Sequence, residues 1–227
     1  MSKISIIIPT INEANNLPLL LSDLSVIQKE GEIIIVDCGS EDKTIDVANI
    51  YRAKVFITKE RNRGLQLDMG AKNSKGDWLI FLHADTRLTN DWFTKIKPVF
   101  KGDKNSIFYF KFKINDKKLI YRLLEVLVNF RSKYFKQPYG DQGLIIHRTT
   151  YFKNNGFRKI PLMEDVDFFR RLNNKKDLKQ LNLPIFTSSR KWTRTNIFLQ
   201  AIKNWQFRRR WLKGESLKSI YSDYYKK

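Results

Sequence analysis

Within the first 82 residues, four short β-branched runs alternate with stretches of helical spacing, an order that few architectures accommodate. Ile4–Ile8, Glu32–Asp37, Lys54–Thr58 and Asp77–Leu82 read as strands. Leu17–Gln28, Thr44–Ala53 and Gly64–Ser74 read as the helices between them. The strands are almost continuously apolar, so both faces must be covered, and the β-α-β-α-β-α-β order predicts a mainly parallel α/β sheet with helices on both sides. Right-handed crossovers follow. Ligands of such sheets sit beyond the carboxyl ends of the strands, and the residues just after each strand become the candidates for chemistry.

After Asp91 the alternation stops. Ile107–Ile114 has a strand's aromatic and β-branched content, and Leu144–His147 is a second short strand. Lys117–Phe135 places Ile120, Leu123, Leu124, Leu127 and Val128 at helical spacing, and Val166–Asn173 predicts a short helix. Residues 197–221 read as one helix. There is no internal repeat, Gly/Ser linker or low-complexity tract, and 227 residues suffice for one sizeable core.

Composition narrows the chemistry. The single cysteine, Cys38, excludes an internal disulfide or a cysteine-based zinc site, and His83 and His147 lie too far apart for a helical metal pair. No apolar run approaches the roughly 18–20 residues of a spanning helix, and the N-terminal apolar stretch is too short for a signal peptide. A reduced, cytoplasmic compartment is the simplest expectation. The net charge of +20 is unevenly placed: residues 1–100 are neutral, 101–185 carry +11 and 186–227 carry +9. The second half therefore faces something anionic, whether a phosphate-bearing small molecule, a nucleic acid or a lipid surface.

Four clusters fall at strand ends. Pro9-Thr-Ile-Asn-Glu13 has either a site's polar content or, through Thr10 and Glu13, the spacing of a capping box. In Val36-Asp-Cys-Gly-Ser-Glu-Asp42, Asp37 can accept from a base or ribose, while Ser40 or Asp42 can cap the next helix. Arg61-Asn-Arg-Gly64 opens a helix and combines guanidinium donors with helix N–H groups, an anion site. His83-Ala-Asp85 ends a buried strand and delivers a carboxylate of the kind a hard cation takes.

These four stretches, with Gly64–Ala71, Gly76–Asp85, Pro138-Tyr-Gly-Asp-Gln-Gly143 and Pro161-Leu-Met-Glu-Asp-Val-Asp167, resemble family 2 glycosyltransferases of the GT-A fold, a Rossmann-like nucleotide-diphospho-sugar transferase architecture. With Ser189-Arg-Lys-Trp192 the resemblance spans about residues 4–195. The combination of His-Ala-Asp-Thr, Tyr-Gly-Asp-Gln-Gly and Met-Glu-Asp is similar to the bacterial subgroup labelled arsenosugar-biosynthesis glycosyltransferases, a label that carries the enzyme class and not the sugar. The resemblance implies a GT-A domain over 1–195, with a nucleotide half (1–90) and an acceptor half (91–195), followed by a basic aromatic segment over 196–227. It implies inverting transfer from a nucleotide sugar, a UDP- or GDP-sugar, to a hydroxyl acceptor. Pro9, Thr10, Glu13 and Asp37 map onto base and ribose contacts, Arg63 and Gln66 onto ribose or diphosphate contacts, and His83 faces the ribose or sugar. Asp85 holds Mn²⁺ or Mg²⁺; the family's first metal-motif acid is replaced here by His83. Asp165 maps onto the general base, beside Glu164 in the Glu-Asp pair, although acids in a first helical turn also suit the helix dipole. Asp141 and Gln142 map onto the acceptor side, and Arg190 and Trp192 onto a late Arg-x-Trp element that closes over diphosphate or acceptor.

The basic C-terminal segment interleaves Trp205, Phe207, Trp211, Tyr221, Tyr224 and Tyr225 with Arg208–Arg210 and several lysines. That pattern fits a helix packed on the domain. It also fits an interfacial helix on an anionic membrane, which would place the protein peripherally at the inner face and favour a lipid-linked acceptor. Single-stranded nucleic acid is a weaker fit, given the neutral first half. Other readings of the chain are a nucleotidyltransferase, against which the missing Gly-rich, Lys-containing loop counts, a catalytically decayed nucleotide binder, and a basic nucleic-acid module.

Overall fold

The structure, a computed structural model, describes residues 3–172, 174–188 and 197–225. One eight-stranded sheet runs through the chain. Its strands are β1 (Ile4–Thr10), β2 (Gly31–Asp37), β3 (Lys54–Ile57), β4 (Trp78–Phe81), β5 (Thr86–Leu88), β6 (Ile107–Ile114), β7 (Leu144–His147) and β8 (Leu178–Thr187), in the order β3-β2-β1-β4-β7-β6-β8-β5. The first four pair in parallel, as the alternating pattern requires. β7 joins antiparallel to both β4 and β6, and β6 pairs in parallel with β8.

The core lies on both sides of this sheet. Ile6, Ile8, Ile35 and Ile80 face the helices α1 (Leu17–Asp23) and α2 (Thr44–Ile50) and the aromatic pair Trp78 and Trp92; the latter belongs to α4 (Trp92–Ile96). Ile7, Ile34, Val36 and Leu79 face α3 (Arg63–Asn73) and α7 (Glu164–Arg171), together with Tyr151 of α6 (Arg148–Lys153). Full burial of strand residues pointing both ways is what near-continuous apolar runs demand. α3 lies close on the sheet because residue 70 is glycine: a Cβ there would sit 2.4 Å from Ile7 Cγ2.

Several boundaries differ from the sequence reading for identifiable reasons. The helix expected over Leu17–Gln28 stops at Asp23 and continues as a single 3₁₀ turn, Ser25–Ile27. β8 was not anticipated, because Pro184 and polar residues interrupt its alternation; the pairing with β6 tolerates this by shifting register between Tyr109 and Lys111. The helix expected over 197–221 is two, α8 (Ile197–Leu212) and α9 (Leu217–Tyr225), parted at Gly214, whose φ of +90° ends the first. Arg210 ties the hairpin together through Glu215 and Asp223, Phe207 meets Tyr224 edge-on at 5.6 Å, and Ile220 is fully buried. α5 (Leu119–Tyr134) has two apolar sides: Tyr121, Leu124 and Val128 pack on Phe112 and Ile114, whereas Leu123 and Leu127 point outward. Among the described residues no helix is long and apolar enough to cross a membrane.

Candidate active site

β1, β2 and β4 end at one edge of the sheet, and the loops that follow them form an open cleft lined by Pro9, Thr10, Glu13, Arg61, Arg63, Gln66, His83 and Asp85. Asp37 anchors its floor. The carboxylate is fully buried, its Oδ2 accepting from the Thr10 hydroxyl at 2.7 Å and the Ser40 hydroxyl at 2.6 Å, and its Oδ1 from the Ser40 N–H at 2.7 Å. With two acceptor positions on each oxygen, one on Oδ1 is left for a further donor. Thr10 therefore ends β1 and binds Asp37 rather than starting a capping box; α1 begins seven residues later, with no side-chain cap at Asn16. Asp42 receives the N–H of Thr44 at 3.0 Å and that of Ala14 at 3.1 Å, stitching the loops after β1 and β2 to each other.

Gln66 is nearly inaccessible, and its amide donates to the carbonyls of Thr10 at 3.0 Å and Val36 at 2.7 Å. Both amide hydrogens are consumed in joining the ends of β1 and β2, so Gln66 shapes the cleft instead of donating to a ligand. Three of the N–H groups at the start of α3 are also committed. Leu65 donates to the Asn62 side chain at 2.9 Å, Gly64 to the Ile160 carbonyl at 3.2 Å, and Gln66 to the Asn62 carbonyl at 3.0 Å. The guanidinium groups of Arg61 and Arg63 line the same end of the cleft.

Gly64 brings the second half of the site against the first. A Cβ at this position would lie 2.0 Å from the Arg158 carbonyl oxygen and 2.9 Å from that of Ile160. The segment 158–160 thus runs directly over the start of α3, and Pro161–Met163 leads from it into α7. Met163 takes a left-handed conformation, φ +63°, as it turns the chain into that helix. Gly64→Ala is expected to displace this segment and to cost about 3 kcal/mol or more, a fall in melting temperature of roughly 6–12 °C, readable by calorimetry.

The turn into α7 points Glu164 at Arg63, whose Nε donates to Glu164 Oε1. Glu164 is only 1% exposed, and its Oε2 has no hydrogen-bond partner among the described residues. Burial pushes the Glu164 carboxyl up, against the pull of Arg63. Burial opposes the charge on Arg63, but Glu164 and Asp165 outweigh it and hold the guanidinium firmly protonated. Of the Glu-Asp pair, Glu164 is therefore the member paired with Arg63.

Asp165, one residue on, points elsewhere. Its Oδ2 accepts from the Gly140 N–H at 2.7 Å and its Oδ1 from the Val166 N–H at 2.7 Å. A Cβ on Gly140 would lie 2.9 Å from His83 Nε2 and 3.4 Å from Asp165 Oδ2. Only glycine lets His83, at the inner end of the cleft, come so near to Asp165. Gln142, by contrast, is wholly buried. Its Oε1 accepts from the Ser132 hydroxyl at 2.6 Å and its amide donates to the Phe110 carbonyl at 3.3 Å. Gln142 thus holds the 138–143 loop onto α5 and β6 from within, and half-buried Asp141 lies beside it. Arg190 and Trp192 lie outside the described residues.

Residues 5–214 match the description Glycosyl transferase family 2. The chain belongs to that family. A PGL/p-HBAD biosynthesis glycosyltransferase of Mycobacterium bovis (strain BCG / Pasteur 1173P2) is 38% identical over 92 residues, 37% of this chain and 36% of that protein. A 4,4'-diaponeurosporenoate glycosyltransferase of Staphylococcus haemolyticus (strain JCSC1435) is 37% identical over 95 residues, 39% of this chain and 25% of its own length. The matches thus span about a third or less of these relatives. Among solved structures, S. aureus TarS 1–349 in complex with UDP superposes with a TM-score of 0.63 at 21% identity, covering 82% of this chain and 60% of that one. Glucosyl-3-phosphoglycerate synthase from Mycobacterium tuberculosis, in complex with Mn²⁺, UDP and glucosyl-3-phosphoglycerate, superposes at 0.60 and 19% identity, covering 81% and 70%. The fold of this family 2 chain is accordingly GT-A.

A second cavity, of about 290 Å³, is lined by Tyr139, Val166, Phe169, Arg170, Lys175 and Arg208. Arg131 stacks on the Tyr139 ring at 3.6 Å, and Arg208 donates to Gln137 Oε1 at 3.2 Å. No carboxylate pairs with Arg170, Lys175 or Arg208 among the described residues. These side chains come from three distant segments, which explains why sequence motifs did not reveal them; the excess of basic residues after position 101 was the only signal.

Proposed function

We propose that this family 2 chain transfers a sugar, with inversion, from a nucleotide-diphosphate donor to a hydroxyl acceptor. The observation that carries the reading is the small pocket that Asp165 and His83 line together, which shares His83 with the strand-end cleft and Tyr139 and Phe169 with the basic cavity. The donor, a UDP- or GDP-sugar, occupies the cleft, its base and ribose against Pro9, Thr10 and Glu13, with Asp37 bracing Thr10 beneath them, and its diphosphate toward Arg61 and Arg63. The acceptor enters from the cavity of Tyr139, Arg170, Lys175 and Arg208, with Asp141 on the same side.

Asp165 then takes the proton of the acceptor hydroxyl as that oxygen attacks the anomeric carbon. A C–O bond forms on the face opposite the leaving group, the bond from the anomeric carbon to the phosphate oxygen breaks, and the nucleoside diphosphate departs with the electron pair. Arg63, charged and aimed by Glu164, stabilises the negative charge that develops there.

No group of three or more His, Cys, Asp or Glu side chains that could cage a metal is found among the described residues. A single carboxylate still fits Mg²⁺ or Mn²⁺, which bind through one or two carboxylates plus substrate phosphates and keep several waters. Asp85, half-buried in the cleft wall, is the residue to hold such an ion, which would supply charge neutralisation at the diphosphate. The Mn²⁺–UDP complex of the structural relative supports this reading.

A thermal-shift panel of UDP, GDP, dTDP, CMP and ADP, each with and without Mn²⁺, tests the proposal. A ligand at 100 times its Kd stabilises by about 2.7 kcal/mol, so one diphosphate should stand out and Mn²⁺ should enlarge its effect. Asp85→Ala is expected to lose the Mn²⁺ increment while the nucleotide's own stabilisation remains. A folded sample indifferent to all five nucleotides would instead favour a decayed or basic binding protein.

A further inference from the structure

Among the described residues nothing packs on the outer side of α5, and that side is apolar. Leu119, Leu123, Val126, Leu127, Phe130 and Tyr134 are between 52% and 86% exposed. Their spacing confines them to one arc of roughly 100° along a helix about 24 Å long. The opposite side is fastened to β6: Glu125 Oε1 accepts the Ile114 N–H at 2.7 Å, and the Asn129 side chain bonds both the N–H and the carbonyl of Phe112 at 2.9 Å. The helix cannot roll to hide its outer stripe without breaking these bonds. Soluble proteins rarely leave so continuous an apolar strip in water unless it has an occupant.

Charge identifies that occupant. Residues 111–136 contain eight Lys or Arg and two Asp or Glu. Of the two acids, Glu125 is buried and paired with Arg122, and Asp116 accepts the Lys118 N–H at 3.1 Å. Lys117 and Lys118 are exposed at the N-terminal end and Lys133 at the C-terminal end, so the stripe is flanked by cations along its length. Lysines before the first turn oppose the helix dipole, and helix stability does not account for them. A second copy of this chain would bring two such positive faces together, whereas an anionic bilayer matches both the apolar stripe and its cationic ends.

We infer that α5 is an interfacial helix that seats the protein on an anionic lipid surface, its apolar arc in the headgroup boundary and its lysines among the headgroups. The inference stands on α5 alone and does not depend on the transfer reaction. It moves the lipid-facing role from the C-terminal segment, whose helices are tied to each other, to the acceptor half of the sheet. α5 also holds the 138–143 loop through the Ser132–Gln142 hydrogen bond, so the lipid surface would lie on the acceptor side.

The test is flotation of the full chain with vesicles of phosphatidylcholine, alone or with about 30% phosphatidylglycerol. The parent should float with the anionic vesicles and not with the neutral ones. The triple variant Leu123→Ser/Val126→Ser/Phe130→Ser replaces exposed side chains, so its melting temperature should stay near the parent's while its binding falls about tenfold or more. Lys117→Gln/Lys118→Gln/Lys133→Gln should weaken binding without touching the apolar stripe. Trp205→Ser, on exposed α8, should leave binding unchanged. Absence of flotation by the parent overturns the inference. So does undiminished binding by both α5 variants, or a vesicle-free dimer that the Ser variant converts to monomer in light scattering.

Discussion

Replacing Asp165 by Asn is expected to lower the transfer rate by about 10²–10⁴-fold, the usual contribution of a positioned general base, while UDP binds as it does to the parent. The separation of the two effects comes from geometry. Asp165 does not line the donor cleft but sits behind it, fixed by the N–H groups of Gly140 and Val166. Asparagine offers one carbonyl oxygen where aspartate offers two, so one of these bonds is lost, at about 1–3 kcal/mol. A modest fall in melting temperature should therefore accompany the loss of rate. Transfer is measured as release of nucleoside diphosphate in the presence of acceptor, and donor binding by titration of UDP. Equal rates in variant and parent would remove Asp165 from the proton transfer and leave the helix dipole as the reason for acids at the start of α7.

What could be read from the sequence was local. The first four strands and their helices follow from runs of Ile and Val and from helical spacing, and the strand-end residues of the cleft follow from the rule for open parallel sheets. Thr10, Arg63, His83 and Asp85 were found in this way, and they do line one cleft. Where two distant segments meet, local patterns offer no purchase. Arg63 and Glu164 are 101 residues apart, and nothing in either motif shows that one carboxylate is reserved for the other's guanidinium. Gln66 and Gln142 sit within motifs of polar residues, yet both are buried struts, their amides donating to the main-chain carbonyls of Thr10, Val36 and Phe110. The two faces of α5 show the same limit. Helical spacing marks apolar residues but cannot say which arc the rest of the chain will cover.

Arg63→Gln should expose the electrostatics of that hidden pair. The substitution removes a guanidinium from the cleft and should weaken UDP binding about tenfold or more, the worth of a charge-assisted hydrogen bond. It also strands Glu164, 1% exposed and, among the described residues, already short of a partner on Oε2. An unpaired buried carboxylate costs about 3–5 kcal/mol, and the group can escape that cost by taking a proton. Burial already holds its folded pKa above the unfolded value of 4.5, with Arg63 pulling the other way. Without Arg63 the folded pKa rises further. A carboxyl with a raised folded pKa binds more protons folded than unfolded, so its contribution is fully present below the unfolded pKa and is lost as pH rises through the folded one. The variant should therefore lie close to the parent in melting temperature near about pH 5 and fall away toward about pH 8, by roughly 2–4 °C for each kcal/mol. A gap that stays constant across this range would mean that Glu164 finds another donor or reaches water when Arg63 is gone. In that case the ion pair aims Arg63 without setting the charge state of its partner.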